Sequence, residues 1–321
     1  MESHRGLVDV TRRLSYYLAP KRIRDRRLSE SLQRSGLSLA DTHHQIASII
    51  NAGEPALLSR PGGIESDVLD FFLRKRMTAQ FGGPKPYPQT MRKKAWLNAG
   101  IVHKGDGDLD AFSLTYLTSL LNSDLIGFGL FARPALSWVQ SLQGQGALPV
   151  FFHDLEPFEA LDHGLSPWTR ALENKKVLVI HPFEESILSQ YQKWETIIGV
   201  KNILARFTLE VLRPPITFAG EYSALSWHEH LEVLKNQLTT KDFDVAIVGA
   251  GSYGLPIAEH AKAMGKVGLH LGGITQLLFG IRGRRWESRL PLEDWGHQGW
   301  VRPLHSEIPP RANDIERAAY W

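Results

Sequence analysis

The segment Gly249–Gly254 reads G-A-G-S-Y-G, and its three glycines have the spacing of a phosphate-binding turn. An apolar run, Val245–Val248, precedes it, and a helical pattern with Pro256 near its start follows. In that context Gly249, Gly251 and Gly254 permit a tight turn and a close backbone approach. The N-terminus of the following helix then offers free N–H groups and the positive end of its dipole to a phosphate.

A dinucleotide cofactor needs one more group than this segment supplies. An Asp or Glu about 20 residues further on normally binds the ribose hydroxyls. Here the next strand ends in Leu269–Gly273, L-H-L-G-G, without an acid. We therefore expect no NAD or FAD. Two interpretations stay open: a loop facing the diphosphate of another nucleotide, and glycines that only turn a strand into a helix.

Acidic and imidazole side chains follow two other apolar runs. Glu65 and Asp67 come after A-L-L-S and a pair of glycines, whereas His181 and Glu184 come after V-L-V-I. Ligands of open parallel sheets lie beyond the carboxyl ends of the strands. Glu65 is thus a candidate base, and Glu65 with Asp67 a candidate ligand pair for Mn2+ or Mg2+. His181 and Glu184 are second catalytic candidates. Acids in a first helical turn also serve as ordinary dipole partners or caps.

A basic turn follows the last apolar run. Arg282 and Arg284 stand beside Trp286 in the stretch G-I-R-G-R-R-W. Arginine suits bidentate recognition of phosphate, and tryptophan suits stacking on a base or sugar ring. We therefore assign both arginines to the diphosphate site, with a solvated basic turn as the alternative.

Short apolar strands alternate with amphipathic helices along the chain. The predicted strands lie in the segments 56–60, 124–129, 148–155, 175–183, 209–219, 244–249 and 266–273. Such alternation predicts an α/β fold, a Rossmann-like, doubly wound and mostly parallel sheet. We predict a basic helical N-terminal extension over residues 1–48 and one Rossmann-like domain over residues 49–321.

Composition narrows the class of protein. The chain has 321 residues, 43% of them hydrophobic, and no cysteine, which excludes disulfides and thiolate chemistry. The net charge of +3 gives no argument for a nucleic-acid partner. Residues 5–34 hold nine Lys or Arg against three acids and mix them with leucines and aromatics. We expect a cytoplasmic protein whose basic N-terminus either contacts the inner face of the membrane or is a solvated tail.

Several stretches together resemble a family of bacterial proteins whose genes tend to lie among surface-polysaccharide biosynthesis genes. They are S-R-P-G-G-I-E-S, P-W-T-R-A-L-E-N-K-K-V-L-V-I-H-P-F, the segment from Phe243 to Trp286, W-V-R-P and the closing Y-W. The resemblance covers about residues 50–321. The layout is also similar, more distantly, to the GT-D-type glycosyltransferases, in which an R-F-G-D-G-E segment near the start carries a metal and sugar-nucleotide site. That segment falls on Arg60–Glu65 here, but Gly63 stands where the family has aspartate.

The resemblance implies transfer of a sugar from a nucleotide-diphosphate donor to a glycan or lipid-linked acceptor. It identifies the late glycine loop as a second phosphate-facing turn rather than the opening of an NAD domain. Gly63 weakens the implied metal pair unless Asp67 substitutes. Two other functions stay open: a non-catalytic component that binds nucleotide sugars in a polysaccharide assembly complex, and, third, an NAD-dependent oxidoreductase.

Overall fold

The parallel sheet predicted from the apolar runs is present in the computed structural model, which describes residues 37–78, 85–128, 147–197, 203–218, 223–287, 299–315 and 317–321. Residues 1–36, most of the predicted basic extension, lie outside this part of the chain. The fold is α/β, with seven parallel strands in one sheet and helices on both faces. This is a Rossmann-like, doubly wound arrangement.

The strands are β1 Ala56–Ser59, β2 Leu125–Phe128, β3 Leu148–Phe151, β4 Lys176–Ile180, β5 Thr208–Leu212, β6 Val245–Val248 and β7 Val267–His270. The α-helices are α1 Leu39–Ala52, α2 Gly63–Thr78, α3 Gln89–Ala99, α4 Asp106–Leu121, α5 Pro157–Asp162, α6 Glu184–Gln192, α7 Trp194–Ile197, α8 Trp227–Thr239 and α9 Gly254–Ala263. Short 3₁₀ helices occupy much of the C-terminal part, the longest at Gly272–Phe279.

The strand order is β3-β2-β1-β7-β6-β4-β5, so the last strand is inserted beside the first. Every residue of β1, β2, β6 and β7 is buried. Strands covered on both faces read as continuous apolar runs, which is why the sequence predicted them well.

The two faces of the sheet bury separate cores. Leu57, Ile126 and Val248 pack on the first face with α2, α3, α4, α8 and α9. The neighbouring residues of the same strands point to the second face, which α1, α6 and the C-terminal segments cover. The alternation follows from the two-residue period of a strand.

The switch point of the fold lies between β4 and β6. The chain leaves β4 toward the second face through α6, and it leaves β6 toward the first face through α9. Ligands of doubly wound sheets bind in the crevice that this divergence opens at the carboxyl ends of the strands. The glycine loop follows β6 and His181 follows β4, so both lie at this crevice.

The helices show three features that the sequence did not predict. The helix α1 spans residue 48, where we placed the domain boundary, and its Ile46 and Ile50 lie in the second core. The helical stretch after β4 is interrupted at Lys193, which separates α6 from α7. The sequence also gave no signal for α3, because its buried side chains are two alanines, Ala95 and Ala99.

Candidate functional site

Each glycine of the loop after β6 has a steric reason to be a glycine. A Cβ on Gly249 would lie 2.7 Å from the carbonyl oxygen of Gly272 and from Cδ2 of His181. A Cβ on Gly254 would lie 2.7 Å from the ring of His270. Gly251 is exposed and has a φ of 54°, in the left-handed region that favours glycine. A Cβ on Gly249 or Gly254 would therefore clash with its neighbours, whereas a Cβ on Gly251 would be at ordinary contact distance from its nearest atom.

Some backbone N–H groups of the loop have no hydrogen-bond acceptor among the described residues. Gly249 donates to Ile180 O at 2.9 Å, within the sheet ladder, and Tyr253 donates to Ala250 O at 3.2 Å. Between them, the N–H groups of Ala250, Gly251 and Ser252 have no acceptor in the described part of the chain. Successive free N–H groups at a strand-to-helix turn form a concavity suited to an anion.

The loop is held rigidly by α8. Trp227 Nε1 donates a hydrogen bond to Ser252 Oγ at 2.8 Å, and the Trp227 and Tyr253 rings stack with centroids 5.4 Å apart. Tyr253 Oη in turn lies 3.1 Å from Thr217 Oγ1. The free N–H groups are thus fixed before any ligand arrives, which reduces the ordering that binding requires.

The helix start on the other side of the crevice is already occupied. Glu307, a buried carboxylate, accepts hydrogen bonds from the N–H groups of Glu185, at 2.8 Å, and Ser186, at 3.2 Å. This internal anion satisfies the N-terminus of α6. An external anion at the switch point therefore finds its donors on the β6 side.

His181 is a buried, neutral hydrogen-bond donor. Its Nδ1 accepts from the Phe183 N–H at 3.1 Å, so in the neutral ring the hydrogen is on Nε2. Burial lowers the pKa of His181 to about 3. An imidazole in this state cannot take a proton at Nε2, which favours a donor role over a base. No described hydrogen bond joins it to Glu184, the other residue predicted from this strand end.

Glu65 is a buried carboxylate beyond the carboxyl end of β1. It bends back over the turn, since a Cβ on Gly62 would lie 2.1 Å from Glu65 Oε2. Burial raises the pKa of Glu65 to about 7, and the charge of Asp67 adds to the shift. No cation pairs with it among the residues that the structure describes. The hydroxyl of Tyr116 accepts from the Gly62 N–H at 3.2 Å and so holds the same turn.

The predicted metal pair has no support in this geometry. Asp67 is exposed whereas Glu65 is buried, and residues two apart on a helix point to different sides. A second group, His153, Glu156 and Glu159, has its potential ligand atoms within 4.8 Å of one another. Glu156 already pairs with the Arg60 guanidinium, so a metal ion there would meet a positive charge. Metal binding at Glu65 and Asp67 remains a prediction.

The sequence missed two polar residues at this edge. His270 ends β7, between Ser59 of β1 and Val248 of β6, and its buried Nδ1 has no hydrogen-bond partner. Burial, with the Arg60 charge as a lesser cause, lowers its pKa to about 3. Arg60 donates to Leu271 O at 3.0 Å and so ties the ends of β1 and β7 together. In the sequence, the one indication of a site residue here was the polar His270 inside the apolar run V-G-L-H-L.

Arg282 and Arg284 bond to the C-terminal segment. The Arg282 N–H donates to Val301 O at 2.8 Å, and Arg284 Nη1 donates to Arg317 O at 3.1 Å. No described contact joins either arginine to Gly249–Gly254. Their share in one site with the loop stays a prediction.

Comparison of the chain with protein-family models, with curated proteins and with solved structures gives no match. In the described ranges, no helix combines the length and the apolar character that crossing a bilayer requires.

Proposed function

We propose that this protein is a glycosyltransferase that moves a sugar from a nucleotide-diphosphate donor to a glycan or lipid-linked acceptor. One juxtaposition carries the proposal: N–H groups after β6 and a buried carboxylate after β1, neither with an acceptor or a cation partner among the described residues, lie at the same edge of one sheet. The acceptor class, the place in surface-polysaccharide biosynthesis and the cytoplasmic location rest on the family resemblance.

The loop after β6 binds the diphosphate of the donor. The N–H groups of Ala250, Gly251 and Ser252 face charge that grows as the sugar–phosphate bond breaks. Fixed donors directed at developing charge are the largest single contribution available to such a reaction. His181 Nε2–H, across the crevice, is placed to donate one further hydrogen bond to the departing diphosphate.

Glu65 is the base. Its carboxylate takes the proton of the acceptor hydroxyl while that oxygen bonds to the anomeric carbon, and the nucleoside diphosphate leaves with the electrons of the broken bond. A pKa near 7 suits this role, because about half of the base is ionised at neutral pH and it is still basic enough to accept a proton.

The spacing of the strands leaves room for the sugar. β1 and β6 flank β7, so their ends stand two strand spacings apart, about 10 Å. A sugar ring fits between a base at one end and a diphosphate at the other. His270, at the end of β7, lies between the ends of these two strands.

Two other functions fit parts of the same site. A non-catalytic component that binds nucleotide sugars would use the loop and leave Glu65 without a role. An NAD-dependent oxidoreductase would need an acid at the end of β7, where His270 stands. The unpaired Glu65 carboxylate favours the transferase over both.

Release of nucleoside diphosphate tests the proposal. Wild type is incubated with UDP-, GDP-, CDP- and ADP-sugars, and the released nucleotide is measured with the variants Glu65→Gln and Asp67→Asn. Loss of a general base typically lowers the rate by about 100- to 10,000-fold. We expect that loss in Glu65→Gln, and near wild-type rates in Asp67→Asn, because Asp67 is exposed. Binding without turnover by wild type would identify a binding component instead.

A further inference from the structure

Two arginines are placed side by side near the C-terminus. Ile281 and Val301 form an isolated parallel bridge, and the next residues on the two segments are Arg282 and Arg302. The Arg282 N–H donates to Val301 O at 2.8 Å, which fixes the register. Like charges on neighbouring segments repel, so this pairing is unfavourable by itself.

Arg284 adds a third charge to the pair. The bridge places Arg282 beside Arg302, and Arg284 follows Arg282 by two residues on the same segment. Burial lowers the pKa of Arg302, and the charges of Arg282 and Arg284 lower it further. One carboxylate side chain, Glu287, pairs with Arg302. Arg284 bonds to a neutral acceptor, the carbonyl of Arg317. Among the described residues, three cations with one carboxylate side chain leave a local positive excess.

Donor capacity in this group is also unused. Arg282 Nε is buried and has no hydrogen-bond partner. Arg284 is exposed, and the side chain of Arg302 is 39% exposed, so an incoming group reaches both. Guanidinium groups bind phosphate oxygens in a bidentate manner, and an anion here would relieve the repulsion.

We propose that Arg282, Arg284 and Arg302 form a second anion site, specific for a phosphate or diphosphate group and separate from the loop after β6. The site itself does not depend on the proposed function. Its proposed ligand is the phosphate of a lipid-linked acceptor, and this identification rests on the proposed function.

The test compares two double variants with equal loss of charge. Arg282→Gln with Arg284→Gln removes two members of the site. Arg206→Gln with Arg311→Gln removes two exposed arginines that pair with Glu195 and Asp314 elsewhere. Binding of pyrophosphate is measured by calorimetry at low salt, and binding to phosphatidylcholine vesicles with and without phosphatidylglycerol by co-sedimentation. Melting temperatures without ligand accompany both.

We expect the site variant to weaken binding by about tenfold or more relative to wild type, and the control to change it little. Loss confined to pyrophosphate identifies a soluble phosphate ligand, and loss confined to anionic vesicles identifies a membrane headgroup. Because the arginines repel, the unliganded site variant should melt no lower than wild type. Wild type that binds neither probe, or equal losses in both double variants, would overturn the proposal. Neither result depends on Glu65 or on turnover, so this proposal and the transferase can fail separately.

If the site variant unfolds, Arg282→Lys with Arg284→Lys keeps the charge and decides the question. Lysine lacks the planar fork, so pyrophosphate binding should weaken while the fold persists. Unchanged binding in that variant would count against bidentate recognition and against the site.

Discussion

Glu65 shows how a single side chain acquires a function from its surroundings. The turn at Gly62 bends the carboxylate inward, and burial raises its pKa to about 7. The sequence predicted the residue because acids after a strand and two glycines stand where sheets bind ligands. Its burial could not be predicted, because it depends on Tyr116 of α4, 51 positions further along the chain.

The pH dependence of turnover follows from the same residue. As the base, Glu65 must be ionised, so kcat/KM for the nucleotide sugar should rise with pH through a midpoint near 7 and then level off. Glu65→Gln should remove this rise. His181→Gln should keep it, because His181 already carries its hydrogen on Nε2 and its pKa is about 3. A rise that disappears in His181→Gln and persists in Glu65→Gln would assign the base to the histidine.

Arg282 and Arg284 mark a limit of reasoning from sequence at the scale of residues. They follow the last strand closely, and proximity in sequence predicted one shared crevice. The structure adds a contact that the sequence did not indicate, the bridge between Ile281 and Val301, and the shared crevice stays a prediction. A pairing of this kind joins distant parts of the chain and leaves no local pattern to detect.

At the scale of elements, the central strands β1, β2, β6 and β7 were predictable because burial on both faces makes apolar runs. A capping box formed by Ser226 and Glu229 begins α8. The order of the strands was not predictable, since nothing local shows that β7 is inserted between β1 and β6. That insertion places His270 between the two halves of the candidate site.

The backbone conformation at Gly251 determines which substitution can test the loop after β6. Valine at Gly251 would be strained, because φ there is 54°. Asparagine tolerates this backbone region and finds space, since the nearest atom to a Cβ is Ala99 O at 3.4 Å. Gly251→Asn therefore adds a side chain above the free N–H groups while the fold persists. Gly265, with a φ of 81° and nothing within 4 Å, is a matched control just before β7, at the other edge of the sheet.

At the scale of the whole molecule, buried histidines set how stability depends on pH. Burial lowers the pKa of His43 to about 4 and the pKa values of His181 and His270 to about 3, from 6.5. Below pH 6.5 these three take up protons in the unfolded chain but stay neutral in the folded one. Glu65 acts in the opposite direction, because its raised pKa lets the folded state bind a proton first.

These three histidine protons favour the unfolded state in this range and the Glu65 proton favours the folded state, which leaves a difference of up to about two. The lowered pKa values of His228, His230 and His260 act in the same direction as those of the three histidines. The free energy of unfolding should therefore fall by about 2–3 kcal/mol per pH unit as the pH is lowered from about 6.5 to 5. Urea unfolding followed by circular dichroism across this range measures the slope. A free energy that stays constant or rises as the pH falls would show that these histidines are not buried and neutral.

Binding of a nucleoside diphosphate by the loop after β6 is the basis of the proposed function. The most direct measurement is a thermal-shift panel of UDP, GDP, CDP, ADP and NAD on wild type, Gly251→Asn and Gly265→Asn. At a hundredfold excess over Kd a true ligand adds about 2.7 kcal/mol of stability, so it should stand clear of the others. We expect at least one nucleoside diphosphate, and not NAD, to stabilise wild type and Gly265→Asn, and this stabilisation to be lost in a folded Gly251→Asn. No stabilisation by any nucleoside diphosphate, or equal stabilisation of all three proteins, would contradict the claim.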